Sequence, residues 1–163
     1  MKEKIINGIN YRLNDWIKTA EVTEKNGGYE GAIVIPETVV FNDVTYRVTT
    51  IGEWAFCGCQ SLTSIIIPNS VKTIGSRAFQ NCTSLSSITI PNSVTSIRVE
   101  AFKGTALYNN PANWENGALY IDNCLVKVDE GFVGHFRIKE NTRVIADHAF
   151  DGCSALTSVS IPN

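Results

Sequence analysis

Apolar and polar positions along the chain follow one pattern that recurs at a fixed distance. Residues 51–73, 74–96 and 145–163 share the order Ala-Phe, Cys, Leu and Ile-x-Ile-Pro with small substitutions, and each begins with an isoleucine. The period is about 23 residues. A fixed period of this length predicts a solenoid, in which each unit buries its apolar side only against its neighbours.

The Leu-x-x-Ile-x-Ile-Pro part of each unit predicts a strand. Side chains of a strand alternate between its two faces. We therefore expect Leu62, Ile65 and Ile67 to point inward, and Ser64 and Ile66 to point outward. The proline that follows ends the strand, because it has no N–H to donate to a ladder. This run resembles the strand core of a leucine-rich repeat.

The apolar positions between the strands predict the returning side of each unit. Phe56, Phe79 and Phe102 recur at one position, so we expect them to stack in a buried column. A buried side chain of this size contributes about 1.5–3 kcal/mol. The predicted fold is a β-rich leucine-rich-repeat solenoid with a parallel strand face and few or short helical turns on the convex side.

The repeat and its flanking sequence predict one structural domain in two parts. Residues 1–50 are expected to form an N-terminal β cap, and residues 51–163 the solenoid. Within the cap, a hairpin turned at Asn14 and Asp15 precedes residues 32–39, which imitate the strand of a repeat. A terminal unit must differ in this way, because one of its faces has no neighbour.

Residues 105–137 are an irregular insert in the solenoid. They contain two apolar runs that predict a hairpin around Asp122 and Asn123. Ile97 and Ile145 nevertheless lie about two periods apart. We therefore expect the insert to replace one ordinary unit without interrupting the superhelix.

Charge and hydropathy narrow the classes of partner. The formal net charge is −2 and the isoelectric point is about 5.7, which supplies no basic field for nucleic acid. The first residues contain no apolar run of signal-peptide length. No segment approaches the roughly 20 apolar residues of a spanning helix. We expect no nucleic-acid partner and no membrane insertion.

The five cysteines are best explained by the repeat. Cys59, Cys82 and Cys153 occupy one repeat position and are expected to form a buried column, whereas Cys57 and Cys124 lie outside it. An odd number argues against a disulfide framework. The chain has no paired Cys-x-x-Cys, glycine-rich phosphate loop or acidic calcium loop. We expect no metal and no cofactor.

Catalysis is not predicted. The chain has two histidines, and His148 occupies the variable repeat position that also holds Trp54, Arg77 and Glu100. A serine nucleophile is singled out by its turn, whereas the serines here are repetitive strand and turn residues. We expect that the protein is not an enzyme.

The recurring motif AFxxCxxLxxIxIPxxVxxIG resembles the BspA-like leucine-rich repeats, also called the Treponema pallidum type. The similarity is close over residues 51–104 and 138–163. The resemblance implies a surface or secreted protein of a host-associated bacterium or trichomonad. Some proteins of this family are adhesins for extracellular-matrix proteins. Arg98 and Ala146 depart from the motif, since they stand where the repeat has glycine.

The outward residues of the predicted strands form the first candidate binding site, which we call the strand face. Short hydroxyl side chains give it a hydrogen-bonding floor for a protein or a glycan, and a histidine and an arginine add charge. The alternative is that serine and threonine occur there because they tolerate exposed strand geometry. The strand face comprises two columns: Ser64, Ser87, His135 and Ser158, and Ile66, Thr89, Arg137 and Ser160.

The loop at residues 108–115 is the second candidate site. Tyr108 and Trp114 flank Asn109 and Asn110, and aromatic rings beside amides suit the recognition of proteins or sugars. The alternative is that both rings anchor the insert on the solenoid.

The predicted function is a non-catalytic, adhesin-like module that binds a protein or glycan on the concave strand face. The partner implied by the resemblance is an extracellular-matrix protein, and the implied location is the cell surface or the extracellular space. The alternative is a structural unit. The sequence ends within a repeat, so its C-terminal end would stack on another copy in end-to-end self-association.

Overall fold

Three antiparallel strands begin the chain: β1 (Lys2–Ile6), β2 (Ile9–Asn14) and β3 (Thr19–Val22). The computed structural model describes residues 1–162, so the last residue of the predicted 51–163 range lies outside it. The Asn14 side chain accepts the backbone N–H of Trp16 at 3.0 Å and starts the turn between β2 and β3. The predicted hairpin in the cap is confirmed.

Three further strands complete residues 1–50 and lead into the repeats. β4 (Gly31–Val34) pairs in parallel with β7 (Leu62–Ile66), and β5 (Thr38–Phe41) forms an antiparallel hairpin with β6 (Val44–Ile51). Ile33 lies opposite Ile65, as expected if residues 32–39 imitate the strand of a repeat. β6 also pairs in parallel with β3, which joins the cap to the first repeat.

A short parallel ladder runs along the side of the molecule opposite the strand face. It joins β6 to β8 (Thr73–Ile74) and β8 to β9 (Ser96–Ile97). The glycines after Ile51 and Ile74 allow these turns to approach closely. A Cβ on Gly75 would lie 2.6 Å from the carbonyl carbon of Gly52, so no larger residue fits there without movement of the backbone.

An aromatic column fills the core between the two sides. Phe56, Phe79 and Phe102 stack nearly parallel, with ring centroids 5.2 and 5.5 Å apart. Tyr29 of the cap packs on Phe56 at 4.6 Å. The predicted phenylalanine column is confirmed, and it extends into the cap.

The insert contains short elements, and the longest of its strand pairs is a hairpin. A single helical turn, α1 (Ala106–Asn109), is followed by β10 (Trp114–Glu115), β11 (Ala118–Ile121) and β12 (Cys124–Val128). β11 and β12 pair around Asp122 and Asn123, which confirms the predicted turn. β12 then pairs in parallel with β14 (Val144–Ile145).

The hairpin divides the apolar core into two clusters, while the uninterrupted superhelix stays a prediction. Both faces of β12 are buried, because Cys124 and Val126 pack into the large cluster with the phenylalanine column, whereas Leu125 and Val128 pack into a smaller one. One backbone bond, from the Asp147 N–H to the Ile97 carbonyl at 2.9 Å, still links the repeats on either side.

The strands of the strand face pair in parallel, as predicted, but they do not form one sheet. The strand face consists of two separate two-stranded sheets, β4 with β7 and β13 (Gly134–Arg137) with β15 (Leu156–Ser160). Within residues 1–162, the intervening segment 85–90 is assigned to no strand. One reason is that α1 occupies the place of the next strand, and the Leu85 carbonyl accepts the N–H of Leu107 there.

Candidate functional site

All eight residues of the strand face are exposed, as the alternation of the repeat predicts. On β7, Ser64 and Ile66 lie opposite Ala32 and Val34 of the cap. Ile66 is 60% exposed and Val34 is 62% exposed. These two side chains make a small apolar patch at the cap end of the strand face.

A histidine and two serines are joined by hydrogen bonds at the other end of the strand face. His135 Nδ1 lies 2.7 Å from Ser158 Oγ, and His135 Nε2 lies 3.0 Å from Ser160 Oγ. Both contacts follow from the register of β13 and β15. Arg137, also on β13, is exposed and has its guanidinium 3.5 Å from Glu140. The two hydroxyls therefore fix the orientation of the imidazole on the surface.

Ser87 and Thr89 lie between these two sheets, in segment 85–90. Ile90, which follows them, donates its N–H to the Asp122 carboxylate at 2.7 Å and so receives a side-chain acceptor in place of a ladder bond. An open cleft of about 690 Å³ separates β7 from this segment. The structure therefore pairs His135 with Ser158 and Arg137 with Ser160. The cleft separates the other predicted site residues, so neither column of the strand face is continuous.

Tyr108 and Trp114 are half-buried and pack against the large apolar cluster. Their rings meet edge to face at 5.3 Å, and Trp114 Nε1 donates to the Tyr108 carbonyl at 2.8 Å. These contacts favour the alternative in which both rings anchor the insert.

A cavity of about 310 Å³ opens on the side opposite the strand face, where β12 separates two repeats. Buried apolar side chains form its floor, among them Ile97, Phe102 and Val126. Arg98 and Ala146 also line it. Sequence reasoning missed this cavity, although both residues depart from the repeat glycine that would require close approach of the neighbouring turn.

Charged side chains surround the mouth of the cavity in pairs. Glu100 accepts hydrogen bonds from Lys103 at 2.6 Å and from Arg77 at 2.8 Å, which lower the pKa of its carboxyl to about 2. Arg98 contacts Asp147 at 3.2 Å. The mouth therefore combines opposite charges that are already partnered.

The cysteines are free, and burial dominates their chemistry. Desolvation raises the pKa of Cys82 to about 12 and that of Cys124 to about 11, so these thiols stay protonated at neutral pH. One expectation is corrected, because Cys153 is partly exposed although it shares the buried repeat position. Cys124, which lies outside that column, is buried because it packs into the large cluster from β12.

The described part of the chain has neither a metal-binding cluster nor a helix that could cross a membrane. Within residues 1–162, no group of three or more His, Cys, Asp or Glu side chains is placed to hold a metal ion. No helix in the same range has the length and apolar character needed to cross a membrane.

Comparison with known protein families gives a clear match. A model described as the BspA type leucine rich repeat region matches six copies over residues 37–123 and 131–163. The chain belongs to the BspA-type leucine-rich repeat family. This match confirms the resemblance that the repeat motif indicated. No curated protein matches the chain.

Solved structures of leucine-rich repeat proteins are similar over nearly the whole chain. A leucine-rich repeat protein from Bacteroides ovatus is 29% identical with a TM-score of 0.62, over 98% of this chain and 41% of that one. A leucine rich cell surface protein from Faecalibacterium prausnitzii is 28% identical with a TM-score of 0.60, over 99% and 43%. This chain thus spans less than half of either relative.

A third structure is the T. pallidum leucine rich repeat protein. It is 26% identical with a TM-score of 0.61, over 99% of this chain and 72% of that one. The strand-rich fold of this chain is therefore that of the leucine-rich repeat family.

Proposed function

We propose that this chain is a right-handed solenoid of about 23-residue repeats that acts as a non-catalytic binding module for a protein or a glycan. Two observations support the solenoid: the parallel pairing of β6, β8 and β9, and the stacked phenylalanine rings. Right-handedness is the usual chirality of parallel crossovers.

The strand face is the proposed binding surface, and the fixed imidazole of His135 carries the proposal. Binding groups that are held in one orientation lose little conformational entropy when a partner binds. Ser158 and Ser160 hold both ring nitrogens, and Arg137 stands beside them with its guanidinium largely in solvent. This end of the strand face offers ordered donors and acceptors to a polar partner.

The cap end of the strand face offers a different chemistry. Ile66 and Val34 are adjacent and mostly exposed, so they present apolar area without reorganisation. A partner that covers both ends needs apolar and polar groups, as segments of proteins and glycosylated proteins have. The similar F. prausnitzii protein is described as a cell surface protein, which supports a role outside the cell. The role that we propose there is adhesin-like, with an extracellular-matrix protein as the partner.

Two features support a non-catalytic role. His135 has both nitrogens engaged by serines that lie on exposed strands. The buried thiols have raised pKa values, which lowers their nucleophilicity because the thiolate is the reactive form.

The test is binding of the purified chain to immobilised extracellular-matrix proteins and glycans. The variant Ser87→Glu/Thr89→Glu/Arg137→Glu places acidic charge across the strand face and is expected to lose saturable binding. A matched control, Lys72→Glu/Thr83→Glu/Thr95→Glu, changes exposed residues outside the strand face and is expected to retain it. Equal binding by both folded variants would contradict the strand face as the site.

Assembly through the C-terminal strand is a second candidate function. On β15 and just after it, Val159 is 37% exposed and Ile161 is 70% exposed, whereas the equivalent Ile65 and Ile67 are buried. Stacking of another copy would cover this apolar surface. Sedimentation across the micromolar range tests the idea with Ile161→Glu as the control. A constant monomer mass for the unmodified chain would exclude self-association in that range.

A further inference from the structure

The cavity beside β12 is separate from the strand face and has the features of a small-molecule site. It lies where the hairpin takes the place of a repeat, so the turns at residues 98–103 and 146–151 stand apart and β12 forms the floor between them. Its volume of about 310 Å³ falls at the lower end of the range for ligand pockets.

The floor is apolar and already ordered. Ile97, Phe102, Val126 and Ala146 are buried in the large cluster, and their exposed atoms face the cavity. A ligand that rests on this floor must have an apolar face. Because the floor belongs to the packed core, the cavity needs no rearrangement to form.

The mouth is polar but electrically balanced. Four lysine or arginine and four acidic side chains line the cavity. Three of the acidic ones, Glu100, Glu130 and Asp147, have a lysine or arginine partner. Arg98 pairs with Asp147 at 3.2 Å, and Lys127 lies 3.7 Å from Glu130. Asp151 lies 3.9 Å from His148.

This balance favours a neutral ligand over an ionic one. A charged group would have to compete with an existing ion pair on one side and meet a like charge on the other. A hydroxyl group avoids both problems, because it can accept a hydrogen bond from an unused N–H of Arg98 and donate one to a free lone pair of Asp147. The Tyr108 ring at the same cavity adds an aromatic surface.

We infer that this cavity binds one neutral pyranose ring, either a free hexose or the terminal residue of a glycan. Such a ring has an apolar C–H face for the floor and hydroxyls, each both donor and acceptor, for the mouth. A ligand of about twelve heavy atoms is expected to bind with a Kd on the order of 1–10 mM.

The test is titration of the purified chain with neutral methyl hexosides, followed by saturation-transfer NMR and calorimetry. Val99→Trp, on the cavity wall, is expected to weaken binding at least tenfold by filling the space. Ser76→Trp is the matched control, because Ser76 holds the same repeat position and does not line the cavity. The strand-face triple variant is expected to bind hexosides as the unmodified chain does.

A second variant covers the case in which Val99→Trp fails to fold. Asp147→Val gives this turn the residue that Val99 supplies at the same repeat position, and it removes the proposed acceptor. Its hexoside affinity is expected to fall several-fold. The proposal would be overturned if no hexoside bound saturably, or if the folded cavity variants bound the hexoside as tightly as the unmodified chain does. It would also be overturned if the free amino acid leucine, a zwitterion, displaced the hexoside, because the site would then accept an ionic ligand.

Oligosaccharides separate the two sources of the ring. If the site accepts the terminal residue of a glycan, an oligosaccharide ending in the bound hexose competes with the methyl hexoside. If only the free sugar fits, the oligosaccharide does not compete, while the cavity variants still lose hexoside binding. Either result supports a pyranose site.

Discussion

The Glu100 carboxylate links two consecutive turns of the repeat. It accepts hydrogen bonds from Arg77 at 2.8 Å and Gln80 at 3.2 Å in one turn, and from Lys103 at 2.6 Å in its own. The bonds from Lys103 and Arg77 favour the charged form and hold its pKa at about 2, below the ordinary value of 4.5. The stabilisation that Glu100 supplies must therefore depend on pH.

We predict that Glu100→Gln lowers the free energy of unfolding by about 1 kcal/mol at pH 7, since partly exposed ion pairs are screened by solvent. The folded-state pKa is depressed, so this contribution is fully present above about pH 4.5 and is lost as pH falls towards 2. Urea unfolding of both proteins across that range measures it.

The control for this prediction is Glu140→Gln. Glu140 makes a single exposed contact of 3.5 Å with Arg137, so its substitution should change stability little at any pH. A stability difference between Glu100→Gln and the unmodified chain that stays constant from pH 7 to pH 2 would contradict the assigned role.

Among the elements, α1 illustrates how one side chain directs the insert. A helix of four residues is not stable by itself. Thr105 fixes it, because its buried hydroxyl accepts the Tyr108 N–H at 3.0 Å and donates to the Phe102 carbonyl at 2.9 Å. Thr105, the N-cap residue of α1, therefore joins the start of the insert to the phenylalanine column.

We predict that Thr105→Val destabilises the protein by about 1–2 kcal/mol, because it leaves an N–H and a carbonyl without their partner. Thr105→Ser keeps the hydroxyl and should cost less than half as much. Thermal or urea unfolding of the two variants measures the difference. Equal destabilisation by both would mean that the methyl group, and not the hydroxyl, matters at this position.

Elements that are determined by nearby residues could be predicted from the sequence, whereas elements that depend on pairing with distant segments could not. Alternation alone places Ser64 outward and Ile65 inward, and turn residues alone place the hairpin at Asp122. Segment 85–90 has the same alternation as β7 and yet is not a strand, because a strand also needs a neighbour with which to pair.

The cavity illustrates the same limit for the candidate site. Its existence depends on where β12 lies between two repeats, which no local pattern specifies. The sequence did carry a signal, since Arg98 and Ala146 replace the repeat glycine where the turns no longer meet closely. A missing close-packing glycine is thus informative about neighbouring turns, even when no binding motif is present.

For the molecule as a whole, the hairpin creates two apolar clusters of unequal size. The large one contains the phenylalanine column and most buried residues, and the small one has six, including Phe136. Cys124 and Val126 of β12 belong to the large cluster and Leu125 and Val128 to the small one, so this strand is where the two meet. In a chain of stacked units, stability is approximately a sum of unit and interface terms.

The small cluster should therefore open at a lower free energy than the large one. We predict that Phe136→Ala, which costs about 3–5 kcal/mol locally, increases hydrogen exchange in β13 and β15 and leaves β8 and β9 protected. Phe79→Ala, the matched change in the large cluster, should expose β8 and β9 as well as the cap strands. Native-state hydrogen exchange resolves these regions, because local opening is reported separately from global unfolding. Uniform acceleration in both variants would show that the two clusters fold as one cooperative unit despite the hairpin between them.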